Sequence, residues 1–185
     1  NIYIMVLIVL IFILEMDMKF FKLVFITLFL TLNINNSAFS LELKPVISLD
    51  VAKQMADACE SKRAEKNWNP INIAIVDSGA DLVLFRRQDG AFLGSIDIAI
   101  RKATSSAMIP RSTRKVGELA YAEDGKLGPR PGVATVDFLV PFAGGLPIRT
   151  GKGHLIGAIG ISGASSDQDE ECAQAAIDSV SDLLN

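Results

Sequence analysis

The sequence predicts an α+β domain built on an antiparallel sheet flanked by helices. Two observations carry this. Two strand–turn–strand segments, 71–87 and 142–161, have the short connections of hairpins. Amphipathic helical stretches precede, separate and follow them, at 51–66, 96–108 and 167–184. Hairpins joined by helices imply antiparallel pairing, whereas a doubly wound parallel sheet alternates strand and helix throughout.

Taken in order, residues 41–49 form a short extended lead-in containing Pro45, and Ser48 or Asp50 can cap the first helix of the domain. Val51, Met55, Ala58, Cys59 and Ala64 recur at helical spacing to about Lys66, and Asn67 to Pro70 end that helix. The β-branched run 71–76 is a buried strand. Asp77 to Asp81 is a turn and 82–87 the return strand. Ser95 and Asp97 open a second helix, 96–108, with Asp97 and Arg101 at i,i+4 spacing and Pro110 as the stop. A helical turn is expected over 114–122 and a glycine- and proline-rich loop over 124–132. Strands at 142–148 and 155–161 flank a turn holding Gly151, Lys152, Gly153 and His154. A last helix covers 167–184.

Half of the 185 residues are apolar, with mean hydropathy +0.35, and this excess is concentrated in the first forty. The two acids and two bases there (Glu15, Asp17, Lys19, Lys22) cancel, so the net charge of −3 belongs to the rest. Residues 41–185 have the size of one domain with one core. A mildly acidic domain without a basic block is a poor nucleic-acid binder.

Residues 1–40 read as targeting sequence. Met18, Lys19 and Lys22 form a basic n-region and 23–32 an apolar stretch. Ala38 and Ser40 stand at the small-residue positions of a cleavage site, so cleavage is expected after Ser40. Residues 1–15 are read as upstream extension, since Met16 or Met18 would open an ordinary signal peptide. Both apolar runs fall short of the roughly twenty residues that span a bilayer, so membrane contact is expected only through an uncleaved leader. The expected location is the periplasm or outside the cell. In an oxidising space Cys59 and Cys172 could pair if their helices are neighbours. The preferred reading is two buried thiols acting as small apolar residues.

His154, the one histidine, lies at a hairpin turn, a poor place for a Ser-His-Asp relay. It is better placed as a metal ligand, with an ordinary exposed turn residue as the plain alternative. No catalytic residue is assigned. The acidic run 167–171 falls in the first turn of the last helix, where the macrodipole and free amides account for it. Gly144 and Gly145 stand where backbone amides could approach an anion, or where the chain simply bends tightly. Arg86, Arg87, Lys102, Arg111, Arg114 and Arg149 are each read singly as surface cations, and together as partners for carboxylates.

The order of motifs over 49–185 resembles the GlcG/HbpS family, which includes haem-binding proteins and the C-terminal domain of PduO-type corrinoid adenosyltransferases. The resemblance rests on the hairpin VDSGADLV, the segment SIDIAIRKA, and GGLPI followed by GAIGISGA and QDEECA. It implies a profilin-like sandwich with a five-stranded antiparallel sheet, symmetric homo-oligomers, and a tetrapyrrole or small-acid ligand, with haem as the cofactor. Some family members bind haem without histidine, and a threonine after the central helix has been implicated. Thr113 matches that stretch here, with Met108 and Tyr121 as neighbouring donors and Arg111 and Arg149 available to propionates. Met108 is read first as core, and Thr113 as a helix-end hydrogen bond. With the export expected from residues 1–40, the resemblance implies an exported, non-catalytic haem- or tetrapyrrole-binding protein acting in scavenging, buffering or sensing. Two alternatives stay open. One is an enzyme or accessory for a small hydroxy or keto acid, held by Arg149 and the Gly144 and Gly145 amides. The other is a structural oligomer without a ligand.

Overall fold

The computed structural model describes residues 2–15, 44–122 and 126–185, and the chain divides into two units, Asn1–Glu42 and Leu43–Asn185. In the first unit Ile2–Glu15 forms helix α1. Among the described residues no helix is long and apolar enough to cross a membrane. The n-region, apolar stretch and cleavage site expected over 18–40 lie outside the described residues.

The second unit begins its regular structure at helix α2, Leu49–Glu65, where the Ser48 hydroxyl accepts from the Val51 amide at 3.3 Å. Asn67, at φ 50°, turns the chain after this helix. Strand β1, Asn72–Asp77, and strand β2, Leu82–Arg87, make the first hairpin. Its turn is held by Asp77, whose carboxylate accepts from the amides of Gly79 at 2.8 Å and Asp81 at 3.0 Å. Helix α3, Ser95–Met108, comes next, with Arg101 reaching Asp97 at 2.6 Å as the spacing predicts. Helix α4, Thr113–Ala120, is capped by Ser112. A 3-10 turn at Pro131–Thr135 leads to strands β3, Gly145–Arg149, and β4, Leu155–Ser162. Helix α5, Ser166–Asp178, opens with a reciprocal capping box between Ser165 and Gln168.

The strands form one antiparallel sheet in the order β2-β1-β4-β3. Helix α3 packs on one face, against β4, β1 and β3, while α2 and α5 pack together on the other. Alternation along β1 divides the core. Ile73 and Ile75 join Met55, Cys59, Ile159, Ile161, Cys172 and Ala176 on the α2/α5 side. Ala74 and Val76 meet Ala99, Ala103, Ala107 and Ala158 on the α3 side. The alanines bring α3 close to the sheet. At Gly160 a Cβ would collide with the Ala99 carbonyl and the Ala103 amide, so that residue has to be glycine.

Several expectations change. Four strands form among the described residues, not five. The segment before β3 buries Leu139, Val140 and Ala143, but the Val140 amide donates to the Ser105 hydroxyl of α3 instead of to a strand. The third strand accordingly starts at Gly145, not 142. The last helix stops at Asp178, and a 3-10 turn at Ser181–Leu183 swings Val180 and Leu184 into the core. Met108, read as core, is 55% exposed at the end of α3. The two cysteines are not free thiols. Cys59 of α2 and Cys172 of α5, with Cα atoms 4.8 Å apart, form a disulfide across 113 residues of chain, because the two helices lie side by side.

Candidate functional site

Lys102 sits in the middle of α3, on the stripe formed by Ala99, Ala103 and Ser106, and is fully buried. Its ammonium donates to the Asp169 carboxylate at 2.9 Å and to the Ile161 carbonyl at 2.8 Å, and lies 4.9 Å from the centre of the Phe142 ring. Asp169, in the first turn of α5, also accepts from the Ala164 amide at 3.1 Å and is only 2% exposed. Burial lowers the Lys102 ammonium from its ordinary value, against the pull of Asp169. Burial likewise raises the Asp169 carboxyl, against the pull of Lys102 and of the Ala164 and Gly163 amides. The pair ties α3, β4 and α5 together.

The two glycines of the bend run over this pair. Gly144 has φ +120°, and a Cβ there would stand 2.5 Å from the Lys102 ammonium. A Cβ on Gly145 would meet the Lys102 carbonyl and the Thr113 methyl, each at 2.6 Å. The Gly145 amide donates to the Thr113 hydroxyl at 2.9 Å, and Thr113 is fully buried. The structure therefore brings together Gly144, Gly145 and Thr113 from the residues picked out in the sequence. It adds Asp169 and Phe142, and it corrects Lys102, expected at the surface, to the centre of the group. Thr113 bonds across to β3 while Ser112 supplies the helix cap. The arrangement packs backbone closely around a buried ion pair, and the Gly145 amide already has its acceptor.

The remaining residues of that set lie elsewhere. Met108 ends α3 and Arg111 lies in the connection to α4, both exposed. A cleft of about 440 Å³ opens there, lined by Pro110, Arg111, Lys115, Glu118, Leu119 and Pro129. Arg149 is at the far end of β3 from Gly145, so the two do not converge. Its guanidinium donates to the carbonyls of Gly153 at 2.9 Å and Pro110 at 3.1 Å, which fastens the β3–β4 turn to this connection. Tyr121, half exposed, forms a bridge with Leu127. His154 is exposed on the β3–β4 turn.

The acidic run of α5 is shared out among cations. Asp167 and Glu170 take Arg114 of α4 at 2.6 and 2.5 Å, Glu171 takes Lys62 of α2 at 3.1 Å, and Asp169 takes Lys102. Among the described residues no group of three or more histidines, cysteines or carboxylates is arranged to hold a metal ion. Lys102 itself carried a signal in the sequence, as a lysine flanked by alanines and serines on the buried stripe of a helix.

A family model described as "Haem degrading protein HbpS-like" matches residues 47–178. An uncharacterized 15.0 kDa protein from the dhaT-dhaS intergenic region of Citrobacter freundii is 34% identical over 137 residues, or 74% of this chain and 94% of its own length. A double mutant of HbpS from Streptomyces reticuli superposes with a TM-score of 0.65 at 26% identity, over 78% of this chain and 94% of that one. The crystal structure of a PduOC:heme complex superposes with a TM-score of 0.64 at 26% identity, over 73% of this chain and 95% of that one.

Proposed function

We propose that this chain, which belongs to the HbpS-like family, is an exported haem-binding protein that holds its ligand without transforming it. The observation that carries the reading is the likeness in sequence and fold to a domain crystallised with haem.

The cleft at the α3–α4 connection fits such a ligand chemically. Pro110, Leu119 and Pro129 give apolar lining, and Arg111 and Lys115 supply two cations, Lys115 already paired with Glu118 of the same cleft at 2.7 Å. A flat apolar acid with two propionates needs both. Arg111 and Lys115 would hold the propionates, and the exposed Met108 thioether is the donor nearest along the chain. Thr113, buried against Gly145, would position α4 instead of touching the ligand. Bound haem would supply a strong chromophore and a redox-active iron. Scavenging, buffering and sensing all need only reversible capture. Export is supported by the Cys59–Cys172 disulfide, which persists in oxidising compartments.

Titration of the purified chain with haemin tests the reading. A saturable Soret shift is expected, and Arg111→Glu with Lys115→Glu should weaken it about tenfold or more, through loss of charge-assisted bonds. No shift beyond that of a control protein would remove the proposal. A second reading, haem breakdown, is favoured by the family's description. Loss of the Soret band from the loaded protein under reductant and air, with release of iron, would replace binding by turnover.

A further inference from the structure

The Lys102–Asp169 pair is buried and lines no part of the haem cleft. Apolar side chains of similar volume hold a core together as well as a buried ion pair does, or better. What the pair adds is placement, because hydrogen bonds fix distance and direction whereas apolar contacts can slide.

The Gly144–Gly145 bend is seated on the pair. A Cβ on Gly144 would stand 2.8 Å from the Asp169 Cβ and 2.8 Å from the Ile161 carbonyl, the same carbonyl that Lys102 holds. The Ile161 amide donates to the Gly144 carbonyl at 2.9 Å, which fixes the bend to β4. One residue further, the Gly145 amide reaches the hydroxyl of Thr113, the first residue of α4. A second route runs along the surface. Arg114, the next residue of α4, donates to Asp167 and Glu170, which stand on either side of Asp169 in α5. Adjacent residues at the start of α4 are thus tied by separate routes to one turn of α5.

The start of α4 is also where the cleft is built. Lys115, Glu118 and Leu119 lie on this helix, and Pro110 and Arg111 on the connection just before it. The far end of α4 is held independently, by the Gly128 amide on the Ala120 carbonyl and the Arg130 amide on the Leu119 carbonyl. The end that carries both cations of the cleft is the end tied to α5.

We propose, resting on the haem reading, that Lys102 and Asp169, together with Arg114, Asp167 and Glu170, form a positioning network for the cleft. The network sets where Arg111 and Lys115 stand by fixing the start of α4, and its members act through the Gly144–Gly145 bend and Thr113 without touching the ligand.

Haemin titration of the full chain, run beside urea unfolding of each variant, separates placement from stability. Lys102→Met with Asp169→Leu leaves the net charge unchanged and keeps the space filled, so its unfolding midpoint should stay near the parent's. Haemin should nevertheless bind about tenfold more weakly. Asp167→Asn with Glu170→Gln releases Arg114 and makes the domain less negative. By field alone that change strengthens binding of an anionic ligand, whereas loss of placement should weaken it several-fold. Surface ion pairs contribute little to stability, so this second variant decides the matter even if the first fails to fold. Parent affinity in the first variant at a parent-like midpoint, or tighter binding in the second, overturns the network and leaves the haem reading standing. No Soret shift in the parent removes the haem reading and the network with it.

Discussion

Lys102 and Asp169 are the residues on which the domain's interior turns. Both are charged groups in a place with almost no solvent, so each is pushed toward its neutral form. The raised Asp169 value means that its stabilising contribution is present below 3.8 and lost as pH rises through the higher folded value. The lowered Lys102 value means that its contribution is present above 10.5 and lost as pH falls through the lower folded value. The pair persists because each partner satisfies the other. Lys102→Met alone should therefore cost about 3–5 kcal/mol in urea unfolding, from a buried carboxylate left uncompensated. The Lys102→Met, Asp169→Leu double variant should recover most of that at neutral pH. The parent should gain on the double variant as pH falls into the carboxylate range. A single variant as stable as the parent would mean that the pair is not buried in solution. The sequence set the lysine on an alanine and serine stripe but hid its partner, because a helix-start aspartate has a sufficient local explanation.

At the level of elements, closeness of approach decides the architecture. Gly160 lets α3 lie directly on β4, and the alanines of α3 leave nothing to hold it off. Gly160→Ala should push the helix outward and cost about 1–3 kcal/mol, the range for overpacking a filled core, read as a lower urea midpoint. An unchanged midpoint would show that α3 can slide without penalty. The helices and hairpins were legible because caps, turn residues and periodicity are local: Ser48, the Asp77 turn and the Ser165–Gln168 box sit where their chemistry requires. The fifth strand was implied by the resemblance alone, whereas the start of the third strand and the end of the last helix were misplaced for a tertiary reason. Val140 finds its acceptor on Ser105, and Val180 and Leu184 find the core only if the helix ends before them. No local pattern contains either partner.

Across the whole domain, the Cys59–Cys172 bridge spans 113 residues, most of the second unit, between two helices on one face of the sheet. Loop-closure entropy of that length is worth about 4–5 kcal/mol in the chain-entropy picture. Cys59→Ala with Cys172→Ala should accordingly lower the thermal midpoint well beyond the effect of any surface change. A midpoint within a degree or two of the parent, with thiol counting to establish oxidation of the parent, would count against the bridge. By itself the sequence determined the α+β class, the two hairpins, the helices that flank them and the family, because periodicity, caps and turn residues act over a few positions along the chain. Only the tertiary structure decided which cations are buried, which acids they meet, whether the cysteines join, and that Thr113 faces inward while Met108 faces out. Those outcomes depend on pairs far apart in sequence, and on solvent exclusion that exists only once the helices have closed over the sheet.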